Sequence, residues 1–342
     1  MAKITTVGID LAKSVFSLHG VEEAGKTQLR KTVSRAKLLE VVAQLEPCLI
    51  GMEACTGAHH WAREFERLGH TVRLMAPKFV IPYRKSGKND GNDAEAICEA
   101  VARPTMRFVA VKSIEQQAII ALHRVRQGYV EERTALINRI RAVLSEMGVV
   151  LPERAEVVRR EAIGAAEALP AAVLQSVITM REHLRLLDER IEELERQFKA
   201  MANESEPARR LMTIRGIGPI TALAIVAAVG SAREFKNGRQ FAAWLGLTPK
   251  QYSSGGKTKL GRITKRGDRY IRMLLILGAR SALQTAARHN DRLSAWAQSV
   301  RARRGWGKAL VAIANKNARI AWAVLTKGET FKAQGLSVAQ AT

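Results

Sequence analysis

The opening stretch of the chain alternates short apolar runs with amphipathic segments. The run 4–10, with Ile4, Val7 and Ile9, is β-branched and closes on Asp10, which predicts a short buried strand. Residues 15–21 alternate like a second strand, 22–26 with Gly25 read as a hairpin turn, and 27–33 form the returning strand. Leu38, Leu39, Val42 and Leu45 have helical spacing, and Pro47 stops that helix. The run 48–53 is again apolar and again ends on an acid, Glu53. A helix over 61–68, closed by Gly69, then leads to a strand over 71–75. The order β-β-β-α-β-α-β-α predicts a mixed sheet of five strands with helices on its faces.

Beyond a polar loop at 85–93, a helix is expected over 94–101, and after it the pattern becomes helical. Residues 113–148 carry Ile119, Leu122, Val125, Ile137, Ile140 and Leu144 as stripe positions, with Pro152 just beyond. Residues 171–201 place Leu184, Leu187, Ile191, Leu194 and Phe198 three and four apart among alternating charges. Two such helices predict an antiparallel hairpin or coiled coil, a stalk that separates or dimerises domains. Residues 203–207 read as a polar linker. Gly216-Ile217-Gly218 between two helical segments then suggests a helix-hairpin-helix element, whose glycines let backbone N–H groups approach a phosphate. A plain interhelical turn explains the same glycines. A helix is expected over 235–247, a flexible basic loop over 252–268, and a helix over 269–285 with Ile271, Leu274, Leu275 and Leu277 or Gly278 on its core face. Residues 293–325 read as helical, with Trp296, Trp306 and Trp322 more in keeping with core than with base stacking. The fold class is therefore α/β plus all-α, in three domains: 1–110, 111–202 and 203–342.

Composition narrows the function. The 342 residues are 47% hydrophobic and 25% charged, a globular balance. The longest uncharged apolar run, 220–229, is too short to cross a bilayer, and no signal-peptide pattern opens the chain. Cys48, Cys55 and Cys98 are odd in number and lack metal-ligand spacing, as in a reduced cytoplasmic protein. The net charge of +23 is unevenly placed: 16 Lys/Arg against 12 Asp/Glu over 1–110, 14 against 14 over 111–200, and 25 against 6 over 201–342. An excess of +19 in the last stretch points to a polyanion, and to nucleic acid first, because each phosphate contact releases counterions. The basic loop, with Lys257, Lys259, Arg262, Lys265 and Arg266, is the expected contact, joined by Arg215, Gly216 and Gly218; Ser253 or Ser254 would lie near the phosphates.

Asp10 alone reads more readily as a turn cap than as a ligand. Three further acids change that reading. Glu53 ends the fourth strand, and a first strand that is central with the fourth as neighbour brings Asp10 and Glu53 to one edge. Asp90 and Asp93 stand three apart at a helix start, where one of them suffices as a cap and both fall on one face. Four carboxylates at one place repel unless cations hold them, and oxygen donors favour Mg²⁺ or Mn²⁺. Two ions about 4 Å apart would serve the attacking and leaving oxygens of a phosphodiester.

This order of acids on these elements resembles the RuvC-like branch of the ribonuclease-H fold. Gly8-Ile9-Asp10-Leu11-Ala12-Lys13, Glu53-Ala54-Cys55-Thr56-Gly57 and Asn89-Asp90-Gly91-Asn92-Asp93-Ala94 are similar to motifs of the Piv/MooV-type DEDD transposases of insertion sequences. So are Gly216-Ile217-Gly218, the run 241–249 and Tyr252-Ser253-Ser254-Gly255-Gly256-Lys257. Cys55-Thr56-Gly57 departs from the pattern of many relatives and lengthens the turn after Glu53. The resemblance implies a recombinase that cuts and exchanges DNA strands, with Asp10, Glu53, Asp90 and Asp93 on Mg²⁺ and a serine, mapped onto Ser254 beside Ser253, joining covalently to DNA. It also implies a non-coding RNA partner that pairs with donor and target DNA. Assembly as a dimer of dimers, in the bacterial cytoplasm at the nucleoid, is implied as well.

Three rivals share parts of this pattern. A RuvC-like metal-dependent nuclease would use the same acids with water as the nucleophile. An actin-type or sugar-kinase ATPase also opens on Gly-Ile-Asp and a hairpin, yet a second phosphate loop is missing and the basic C-terminal part would have no purpose. A non-catalytic nucleic-acid scaffold would keep the charge and need none of the acids.

Overall fold

A computed structural model describes residues 3–333 apart from Ser86 and Lys88, and only the backbone of Ser254. The chain divides into two compact units at Ile114. In the first, β1 (Thr6–Leu11), β2 (Val15–Val21) and β3 (Thr27–Ser34) form an antiparallel meander. Helix α1 (Leu38–Ala43) leads to β4 (Leu49–Glu53), α2 (Ala58–Arg67) to β5 (Thr71–Met75), and α3 (Pro77–Val80) with α4 (Asp90–Val101) to β6 (Phe108–Val109). The sheet order is β3-β2-β1-β4-β5-β6, with β1, β4 and β5 parallel at its centre.

Alternation along the central strands decides which helix covers which face. Val7, Ile9, Ile50 and Met52 are fully buried in one cluster with Leu38, Val42, Trp61 and Phe65 of the covering helices. The opposite face is cut back at Gly8 and Gly51. A Cβ on Gly8 would lie 2.2 Å from the Ala94 carbonyl oxygen, and one on Gly51 would lie 2.7 Å from the Val101 side chain. Those two glycines let the backbone of α4 lie directly on β1 and β4. The Cys98 thiol donates to the Thr6 carbonyl at 3.6 Å, and Gly91 in the first turn lies against the Arg30 guanidinium while Val101 in the last lies on Gly51, so α4 crosses the strands from β3 towards β4.

The second unit begins with α5 (Ile114–Glu146), α6 (Ala155–Glu161) and α7 (Ala171–Glu204). Arg126 pairs with Glu195, Glu132 with His183 at 2.9 Å, and Arg133 with Asp188 at 3.3 Å, which makes α5 and α7 antiparallel. Arg159 of α6 reaches the same Asp188 at 2.7 Å and closes the tip over Leu144, Val158 and Leu184. Phe198 and Ala202 of α7 belong to the core of the helices that follow: α8 (Glu206–Met212), α9 (Pro219–Val229), α10 (Gly238–Trp244), α11 (Arg269–Thr285), α12 (Arg292–Arg304) and α13 (Trp306–Lys327). Between α10 and α11 stands a two-stranded ladder, β7 (Pro249–Ser254) with β8 (Lys257–Ile263). No helix among the described residues is long and apolar enough to cross a membrane.

Several expectations change. The sheet has a sixth strand, since β6 adds antiparallel to β5 in only two residues, too short to leave a periodic signal. The basic loop is a hairpin, because Gly255 and Gly256 both adopt positive φ, +54° and +75°, as a two-residue turn of the type that matches strand twist requires. Residues 203–207 are helical except at Ser205, whose side chain caps α8 by accepting from the Ala208 N–H; Pro207 fits in the first turn, where no amide donor is needed. The stretch 293–325 is two helices, broken at Gly305 with φ +81°. Val125 is 45% exposed, off the packed stripe. On α11, Gly278 rather than Leu277 faces the core: Leu277 is 52% exposed, whereas a Cβ on Gly278 would lie 1.7 Å from the Gly216 carbonyl oxygen.

Candidate nuclease centre and nucleic-acid hairpin

β1 and β4 pair in parallel from Thr6↔Leu49 to Ile9↔Met52, so the next residues, Asp10 and Glu53, stand side by side where that pairing ends. The Cys55 thiol reports both. Desolvation first, and then the negative fields of Glu53 and Asp10, push its pKa up. A thiol held protonated in this way is a poor metal ligand. The turn from Ala54 to Gly57 is fastened by Ala54 N–H to Met75 O at 2.7 Å, and Gly57, at φ +86°, opens α2.

The first turn of α4 settles what Asp90 and Asp93 do locally. The cap is Asn89, whose side chain accepts from the Asn92 N–H at 2.8 Å. Neither aspartate is needed for that task. Asp90 is exposed, and Asp93 stands 2.7 Å from the Arg84 guanidinium. The acids stand in two pairs: Asp10 with Glu53 on neighbouring strands, and Asp90 with Asp93 in the first turn of α4. Among the described residues no three His, Cys, Asp or Glu side chains are grouped closely enough to hold one ion.

The hairpin carries a different chemistry. Between Pro249 and Gly267 there are six Lys or Arg and no acid, and Lys257, Lys259, Arg262, Lys265 and Arg266 are all exposed. Ser254 and Lys257 pair across the turn at its tip, Ser253 pairs with Thr258, and Tyr252 with Lys259. The Ser254 side chain lies outside the described residues. The Ser253 hydroxyl accepts from the Gln251 side-chain amide at 2.8 Å. The base of the hairpin is rigid: a Cβ on Gly246 would meet the Arg266 carbonyl at 2.2 Å and one on Gly267 the Trp244 carbonyl at 1.7 Å, so two backbone segments cross in contact. Lys265 N–H donates to Gly246 O, and Asp268 caps α11 by accepting from the Ile271 N–H at 2.9 Å.

A family model for DEDD transposases of the IS110 type matches residues 7–149, which include all four acids, and one described as "Transposase IS116/IS110/IS902 family" matches residues 208–295, which include the hairpin. The chain is 47% identical over 96% of its length to a probable family 20 transposase of Pseudomonas aeruginosa, covering 99% of that protein. The chain belongs to the IS110 family of transposases. Identity is 43% to the transposase for insertion sequence element IS1328 of Yersinia enterocolitica, over 97% of this chain and 99% of that one. It is 42% to the transposase for IS1111A of Coxiella burnetii, over 97% and 92%.

As an insertion-sequence transposase the protein acts on DNA, and the donors at its acidic end fit the divalent metal its family implies. They are carboxylate oxygens only, hard ligands suited to Mg²⁺ or Mn²⁺. In this transposase Arg215 is engaged internally: it pairs with Asp291 at 2.7 Å and with the Ser294 hydroxyl, while its carbonyl accepts from Asn317 at 2.9 Å. Burial opposes that ionisation, but the hydrogen bond and charge of Arg215 prevail and hold the Asp291 carboxyl below its ordinary range. Gly216, at φ +88°, serves close packing against Gly278. Of the glycine turn, Gly218 alone has open space around its Cα. Sequence reasoning missed Asn89 as the cap, which Asn-x-x-Asn spacing signals, and Arg84 as the partner of Asp93, which nothing local signals.

Proposed function

We propose that this transposase cuts and rejoins DNA by serine phosphoryl transfer at an acidic centre. The observation that carries the reading is that Asp10 and Glu53 stand side by side on paired parallel strands, in a unit whose helix α4 packs on those strands and holds Asp90 and Asp93 in its first turn, with neither aspartate needed as its cap. The order of the six strands and the parallel β1–β4 pair support a RuvC-like, ribonuclease-H-type unit. Asp10, Glu53, Asp90 and Asp93 would hold Mg²⁺ or Mn²⁺, two ions by their number, and the metal would supply charge stabilisation at the scissile phosphate. The residues themselves position it: the sheet fixes Asp10 and Glu53, and α4 brings the second pair.

Ser254 is the proposed nucleophile. Its hydroxyl oxygen forms a bond to the scissile phosphorus as the bond to the 3′ oxygen breaks; the serine proton leaves and the 3′ oxygen gains one. The energy of the phosphodiester stays in the seryl phosphate ester, so religation to another 3′ hydroxyl needs no nucleotide triphosphate. Lys257, opposite Ser254 in the ladder, offers positive charge where the phosphate would lie, and Lys259, Arg262, Lys265 and Arg266 continue it along the backbone of the nucleic acid. Family membership supports an element-encoded non-coding RNA as guide and a dimeric or tetrameric assembly.

The test is adduct trapping on a suicide substrate of the element's end joined to flanking DNA, with guide RNA and Mg²⁺. Ser254→Ala should abolish the covalent protein–DNA species, as should Asp10→Asn or Glu53→Gln, each with a rate loss of about 10³-fold or more, while binding persists. An adduct retained in Ser254→Ala and lost in Ser253→Ala would move the nucleophile by one residue. Cleavage without any adduct would give the attack to water.

A further inference from the structure

The C-terminal unit has a second concentration of charge, away from the hairpin. A cleft of about 670 Å³ opens between one face of α13, the start of α10 and the segment that folds back after Gly328. Three of its cations, Lys316, Arg319 and Lys327, come from α13 at helical spacing, and Arg239 and Lys332 face them. All five are exposed, and among the described residues none forms an ion pair. The lone acid on the rim is Glu329. The Lys316 ammonium is steadied 4.5 Å above the Trp296 ring, which holds its charge at the cleft without neutralising it.

The walls are as informative as the rim. Trp322 and Phe331 line the cleft and are half-buried. Trp322 is fixed by its indole N–H to the Phe235 carbonyl at 3.1 Å, and Phe331 by its backbone N–H to the Thr213 hydroxyl at 2.9 Å. Two anchored aromatics inside a ring of unpaired cations suit a ligand with flat apolar faces and repeated negative charge. Phosphates would suit the rim and an unstacked base an aromatic wall, where base–aromatic stacking is worth about 1–3 kcal/mol per base. A duplex keeps its bases stacked and cannot offer one to a concave site of this size.

We infer that this cleft is a single-strand nucleic-acid site, separate from the hairpin, that grips a phosphate run and admits a splayed base. The inference depends on the protein handling nucleic acid, not on Ser254, so the test is made in the full-length Ser254→Ala protein, where no covalent joining interferes. Fluorescein-labelled oligo(dT) and oligo(rU) of about 12 nucleotides are titrated by anisotropy at several salt concentrations, with a duplex of equal length in parallel. Lys316→Gln with Lys327→Gln should weaken single-strand binding about tenfold and flatten the slope of log K against log salt by about 1.4, two phosphate contacts' worth. Duplex binding should stay as it was, and thermal unfolding should shift only slightly, since both side chains are exposed and the Lys316–Trp296 contact is what Lys316→Gln removes. Halogenated-uridine crosslinking should label Trp322 or Phe331. Tighter binding of oligo(rU) assigns the strand as RNA, and tighter binding of oligo(dT) as DNA. Single-strand affinity and slope equal to the parent's, an equal loss for duplex, or crosslinks confined to the hairpin would each overturn the inference.

Discussion

At the residue scale, burial decides what charge can do. His123 stacks on Phe198 with ring centres 4.2 Å apart and shares a hydrogen bond of 3.1 Å with the Tyr270 hydroxyl. Burial first, and then the charge of Arg126, lowers its pKa from 6.5 to about 4. His59 in the N-terminal unit is lowered likewise to about 4 by burial and by Lys112 and Arg63. A folded-state pKa below the unfolded one means that the unfolded chain takes up the proton first. The contribution is therefore complete above about pH 6.5, declines as pH falls, and is gone near pH 4. For His123 the loss amounts to at most about 3 kcal/mol. Urea titrations between pH 7 and pH 4.5 should show falling stability, and His123→Gln, less stable at pH 7, should show a shallower fall.

At the scale of elements, two contacts between backbones govern the fold. One is α4 on β1 and β4, made possible by Gly8 and Gly51; the other is the Gly216–Gly278 approach that joins α11 to the turn before α9. Gly8→Ala puts a methyl group 2.2 Å from a carbonyl oxygen and must lift α4 off the sheet. The expected cost is about 1–3 kcal/mol in the midpoint of chemical unfolding. The helix that lifts carries Asp90 and Asp93, so Mn²⁺ affinity measured by calorimetry should fall in the same variant. Affinity equal to the parent's would show that α4 does not position the second pair of acids.

At the scale of the whole molecule, charge is partitioned as the two units are. Residues 1–110 carry a net +4 and residues 201–342 a net +19, so most phosphate contact is expected from the C-terminal unit. Lys257→Gln with Lys259→Gln should flatten the salt slope of duplex binding by about 2, at roughly 0.9 per contact. A slope equal to the parent's would remove the hairpin from the DNA interface.

Much of this was legible in the sequence because it is local. The apolar runs ending on Asp10 and Glu53 needed only strand periodicity. The two long helices, read over 113–148 and 171–201, fall at Ile114–Glu146 and Ala171–Glu204 because their stripes extend over many turns. The basic stretch after Pro249 was visible as charge but not as a hairpin, since its strands are exposed on both sides and lack an apolar face; the turn at Gly255-Gly256 was the available signal. Nothing near Arg215 in sequence shows that Asp291 pairs with its charge or that the Ser294 hydroxyl accepts from it. The sequence by itself determined the first five strands, the long helices, the identity of the acids and the imbalance of charge, since each depends on spacing or composition. Only the tertiary structure decided that Arg84 holds Asp93, that Gly216 serves packing against Gly278, and that Arg239 joins four cations of the stretch 316–332 around one cleft, because each depends on which segments touch.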